Sequence, residues 1–192
     1  MKPLSKFLAL LMIITALTAS SQNAPVTTVG IITNAVPGTS YTVPVTVTGF
    51  NGVGQFFITL NYSTANLTYT GYVPNPAFPG ITVTHSLALG RLQVNFPGVG
   101  ANFSLPDYST LISFNFTYNT ASSYLTWNYA GSSGNICRYR KYVGGTSYVD
   151  LADSPKSKYY IHGGISYRAA PVTSAPSITG ATPGSIAVPV TV

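Results

Sequence analysis

Leu92, Val94 and Phe96 alternate with Arg91, Gln93 and Asn95, and the same two-residue period recurs along most of this chain. Val43, Val45 and Val47 oppose Thr42, Pro44 and Thr46; Ile112, Phe114 and Phe116 oppose Leu111, Ser113, Asn115 and Thr117. A period of two places successive side chains on opposite faces of an extended strand, so one side is buried and the other wetted. Beyond the N-terminal residues no window carries a helical stripe, because glycine and proline interrupt it too often. Strands are expected over 28–33, 40–48, 54–61, 65–69, 81–86, 91–96, 109–118, 124–129 and 159–167. Turn signals such as Pro37-Gly38, Asn51-Gly52 and Pro97-Gly98 separate them. About nine short strands at this spacing predict an all-β chain, a two-sheet β-sandwich with jelly-roll topology. Pro44 has no N–H to give a ladder, which predicts an edge strand or a bulge at that point.

The chain also repeats itself. Ala24-Pro25-Val26-Thr27 returns as Ala170-Pro171-Val172-Thr173, Pro37-Gly38 as Pro183-Gly184, and the pentapeptide at Val43–Val47 as Val188–Val192. The matches keep their order and almost constant spacing, far longer than a solenoid repeat and normal for an independent domain. Residues 22–168 are therefore expected to form one complete unit, with 169–192 a linker and the truncated start of a second copy. Ahead of them, Lys2 and Lys6 precede an apolar run from Phe7 to Ala19 and the small residues Ser20 and Ser21. That pattern is a secretory signal peptide over 1–21, too short to span a bilayer, and it predicts a secreted or cell-surface protein without stable membrane insertion.

Composition removes several chemistries. The formal charge is +6, and loss of Lys2 and Lys6 leaves +4, a mild imbalance without the dense basic footprint of a nucleic-acid binder. The densest cluster is Arg138, Arg140 and Lys141. Cys137 is the single cysteine and is expected to be a small buried hydrophobe. Asp107, Asp150 and Asp153 are the whole acidic complement, with no glutamate. A paired-carboxylate glycosidase site has no support in their placement. His85 and His162 lie in different expected strands and lack the clustered partners of a zinc site. No catalytic residue, metal site or cofactor is expected. Asn61, Asn66, Asn102 and Asn115 each begin an Asn-x-Ser/Thr sequence.

With these strands in view, the unit resembles a cohesin, the β-sandwich receptor module of modular secreted bacterial proteins. Val36-Pro37-Gly38 followed by Tyr41-Thr42-Val43-Pro44-Val45 is similar to the family's opening turn and strand. Phe56-Phe57-Ile58-Thr59-Leu60-Asn61-Tyr62 resembles its third strand, with Ser63-Thr64 standing where the family carries Asp-Pro. Leu111 to Phe116 and Tyr160 to Ser166 resemble its later and closing strands. The resemblance implies a non-catalytic module, monomeric per domain, that docks a dockerin-like protein on one sheet face. On that face the outward residues would be Gln55, Phe57, Thr59, Gln93 and Asn95, neutral groups around one aromatic. The alternatives are a carbohydrate-binding module, with Trp127, Tyr124 and Tyr129 as a sugar-stacking platform, and a structural or adhesive repeat. Trp127 alternates with Leu125, which equally suits the core. The polar stretch from Gly131 to Lys158 is expected to be a long loop on one rim.

Overall fold

The computed structural model describes residues 22–129, 137–167, 174–177, 179–180 and 187–190. The expected signal peptide over 1–21 and most of the expected second copy lie outside the described residues. In chain order the strands are β1 (Val26–Val29), β2 (Ile31–Ala35), β3 (Ser40–Thr48), β4 (Gln55–Asn61), β5 (Leu67–Pro74), β6 (Thr82–Ser86) and β7 (Arg91–Phe96). Then follow β8 (Ser109–Tyr118), β9 (Ser123–Trp127), β10 (Cys137–Gly144), β11 (Ser147–Asp150), a one-turn helix α1 (Lys156–Tyr159), β12 (Tyr160–Ile161) and β13 (Gly163–Tyr167). The smaller sheet runs β12-β1-β3-β8-β5. The larger runs β11-β10-β4-β9-β13-β2, with β7 on the other edge of β4 and β6 beyond it. No described helix is long and apolar enough to cross a membrane.

The alternation read from the sequence is the alternation of burial. Val43, Val45, Val47, Phe56, Ile58, Leu60, Leu92, Val94, Phe96, Ile112, Phe114 and Phe116 all face the space between the sheets and are fully buried. At one end the filling is aromatic: Phe56 lies 5.4 Å from Phe96, 5.7 Å from Phe78 and 5.6 Å from Tyr139, ring centre to ring centre. Tyr139 carries its hydroxyl into this core and bonds it to Thr27 Oγ1 at 2.8 Å, which satisfies two buried polar groups at once.

Four expectations need correction. The segment 28–33 is two strands, because the chain changes sheets at Gly30: β1 pairs with β3, and β2 pairs in parallel with β13. The closing segment changes sheets at the same level, with β12 parallel to β1 and β13 parallel to β2. Where the two segments cross, Gly164 N–H donates to Gly30 O at 3.2 Å, and a side chain on Gly163 would overlap the carbonyls of Gly30 and Val29. Secondly, of the two readings of Pro44 the edge fails, since β3 lies between β1 and β8, whereas a bulge does follow it, in the pairing of β3 with β8 between Val45 and Thr46. Pro44 sits just past the end of β1, where Gly30 N–H bonds Pro44 O at 2.8 Å and the neighbouring chain departs, so no ladder partner is lost.

Thirdly, Leu111, expected outward, is fully buried. The pairing of β3 with β8 steps from Val45↔Ile112 to Thr46↔Thr110, so Leu111 is the extra residue of a bulge that rotates it inward. Finally, the 131–158 stretch is not a rim loop over its described part: it contains the β10–β11 hairpin and α1. The alternation of Cys137 and Tyr139 (buried) with Arg138 and Arg140 (half-buried) marks β10 as a core strand.

The parallel pairing of the first and last strands, β1 with β12 and β2 with β13, runs as far as Tyr167. We expect a chain ending at Arg168 to unfold cooperatively with a Tm within about 3 °C of the full chain, a change of about 1 kcal/mol or less. A larger loss, measured by circular dichroism on both proteins, would make 169–192 part of this domain.

Candidate functional site

The outer face of the larger sheet is built from four adjacent strands, β6, β7, β4 and β10. Each row across it follows from register. Asn95, Phe57 and Arg138 lie side by side, then Gln93 and Thr59, then Arg91 and Asn61, with Gln55 and Arg140 forming the row at the opposite end. Because Phe56, Ile58 and Leu60 fill the core, the intervening side chains must point the other way.

The five residues expected on this face are brought together, but they are not equivalent. Phe57, Gln93 and Asn95 are half-buried, and among the described residues their side chains make no hydrogen bond or ring contact. Gln55 is committed to the protein itself: Nε2 donates to Pro97 O and Oε1 accepts from Arg140 Nη1, both at 2.9 Å. Thr59 is fully buried, although it lies on the outward side of the strand. Opposite it the neighbour of β4 changes from β9 to β10, with Trp127 paired to Leu60 and Cys137 to Ile58. The Asn128 N–H donates to Thr59 O at 2.8 Å. Thr59 thus belongs to the framework of the face and not to its surface.

Arg138 was absent from the sequence expectation for the site. It stands beside Phe57, and Arg91 lies two rows along, its Nε 3.4 Å from Asn61 Oδ1. The signal was present in the period-two string Cys137-Arg138-Tyr139-Arg140, which reads as a strand once it is not assigned to a loop. At the hairpin joining β6 and β7, Leu87 and Leu89 are 65% and 61% exposed, apolar groups at the rim of the same face.

The aromatic platform does not assemble. Trp127 is buried, and its Nε1–H donates to Ile161 O at 3.1 Å. Tyr129 stacks on His162 with ring centres 5.7 Å apart. Tyr124 is 82% exposed on the opposite side of β9, beside an open, largely apolar cavity of about 340 Å³ floored by Gly163 and Gly164. Successive alternation separates Tyr124 from the other two, so one flat ligand cannot meet all three.

The three aspartates, both histidines and the cysteine are tied into the fold. Asp107 accepts from Gly49 N–H at 2.7 Å, Asp150 pairs with Arg140 at 2.9 Å, and Asp153 takes both Lys156 and the Tyr160 hydroxyl. His85 Nε2 meets Tyr62 OH at 2.6 Å, and His162 Nδ1 accepts from Trp127 N–H. Burial pushes the Cys137 thiol up to about 12, so it stays protonated and unreactive at neutral pH. Among the described residues no three His, Cys, Asp or Glu side chains gather into a metal-binding group.

No protein-family model matches this chain, and no curated protein matches it. Solved structures do. CaCohA2, in its complex with CaDoc0917, superposes with a TM-score of 0.60 at 20% identity, over 75% of this chain and 99% of its own. The sixth cohesin of scaffoldin B from Acetivibrio cellulolyticus, bound to a dockerin, gives 0.57 at 14% identity over 76% and 99%. A non-cellulosomal cohesin from the archaeon Archaeoglobus fulgidus gives 0.55 at 15% identity over 74% and 90%. The sandwich described above is the cohesin fold. The jelly-roll arrangement inferred from alternation and the fold inferred from the family resemblance coincide.

Proposed function

We propose that this chain is a non-catalytic docking module, which holds a dockerin-like protein on the outer face of β6, β7, β4 and β10. The reading extends to a secreted or cell-surface setting within a modular assembly, with polysaccharide binding or breakdown as the associated task. The observation that carries it is Phe57. A large aromatic without ring partners among the described residues sits at the middle of a sheet face, flanked by the free amides of Gln93 and Asn95. An apolar anchor inside a polar surround is the anatomy of a protein interface. The same fold carries dockerins in two of the three superposed structures, which supports the choice of partner.

The Phe57→Ala variant tests this. Affinity for a captured dockerin should fall by about 1–3 kcal/mol if Phe57 is a hot spot. Folding stability should change by less than about 1 kcal/mol, since the ring is only partly covered. Intact affinity combined with a stability loss above about 2 kcal/mol would instead mark Phe57 as packing.

A further inference from the structure

We infer that the partner of this face is acidic, placing a carboxylate on Arg138 while an apolar group covers Phe57; this rests on the docking reading above. The two arginines of β10 make the contrast. Arg140 is engaged within the protein: Nη1 donates to Gln55 Oε1 at 2.9 Å and Nη2 to Tyr148 O at 2.8 Å, while Nε lies 2.9 Å from Asp150 Oδ1 as an ion pair without hydrogen-bond alignment. Arg138, two residues earlier on the same face, has neither a hydrogen bond nor an ion pair among the described residues. It is nevertheless half-buried beside the Phe57 ring.

No internal carboxylate is left to serve it. Asp107, Asp150 and Asp153 are the only acidic residues in the sequence, and each is engaged elsewhere. Arg91, on the same face, is met among the described residues only by the neutral amide oxygen of Asn61. Among the described residues the face therefore offers two cations outside ion pairs, two free amides and one aromatic, with no free anion.

A partner that covers Phe57 must also strip water from Arg138. A guanidinium desolvated without an acceptor is costly, whereas a carboxylate matches its planar fork with two parallel N–H···O bonds. A basic contact surface would be repelled, and a purely apolar one would strand the charge. Carboxylates flanking an apolar side chain satisfy both groups together.

The experiment uses the full chain and two sets of purified dockerin modules, one with Asp/Glu on the contact helices and one with those residues replaced by Asn/Gln. Affinities are measured by calorimetry at about 50 and about 300 mM salt, which shortens the screening length from about 14 Å to about 6 Å. The acidic set should bind, weaken with salt, and lose about tenfold or more on Arg138→Gln. The Lys158→Gln control removes the same charge away from the face and should change affinity less than about twofold. Thermal melts confirm that each variant is folded. If acidic dockerins bind and Phe57→Ala weakens them, but Arg138→Gln and neutralised dockerins stay within about twofold, the acidic partner is overturned while docking stands. If neither set binds the wild-type chain, docking and its charge preference fall together. Binding to polygalacturonate that needs Arg138, with no dockerin held, would replace a protein partner with an acidic glycan.

Discussion

Gly163→Ala should destabilise the domain by about 3 kcal/mol or more, at the upper end of what overpacking costs. The position is a meeting of backbones: the added methyl would overlap the carbonyl oxygens of Gly30 and Val29. Neither can rotate away, because β1 is held in register by β3 and β12, and β13 is held by β2 and β9. Relief would require the two crossing segments to separate, which breaks the parallel pairing that closes the sandwich. Urea unfolding monitored by far-ultraviolet circular dichroism gives the loss directly. A midpoint unchanged within error would mean that the crossing is looser than its geometry, and that the sheet switch tolerates a side chain.

Phe56→Ala should cost about 3–5 kcal/mol, the range for deleting a buried aromatic. Its ring contacts Phe78, Phe96 and Tyr139 and also lies 6.4 Å from Phe50, so truncation opens a cavity bounded by rings that are themselves packed from behind. At roughly 2–4 °C per kcal/mol for a domain of this size, the Tm should drop by about 10 °C. The comparison with Phe57→Ala is the sharper measurement. The two residues are chemically identical and adjacent, yet one should unfold the core while the other loosens a partner. Equal stability losses for both would show that the outward face at Phe57 is covered as tightly as the core, and would leave the docking face without its anchor.

Much of this molecule was legible in its residues. Strict alternation at Val43–Val47 and Arg91–Phe96 named both the strands and their buried sides, since the pleat is a local property that each strand carries alone. The same period placed Phe57 outward and Trp127 with the core as one of its two readings. What alternation could not supply was each strand's neighbour. Thr59 is buried in the folded sheet, and the pairing of β10 with β4 brings Arg138 beside Phe57, although these residues are distant in sequence. Gln55 left the site for a similar reason, because its amide found Arg140 on a strand expected to be a loop. The sheet switch at Gly30 and Gly163 likewise depends on two backbones meeting from opposite ends of the domain. Periodicity therefore determined which side of each strand is wet. Pairing across long loops, which is set by packing the whole core at once, decided which wet residues share a surface and which are free to bind.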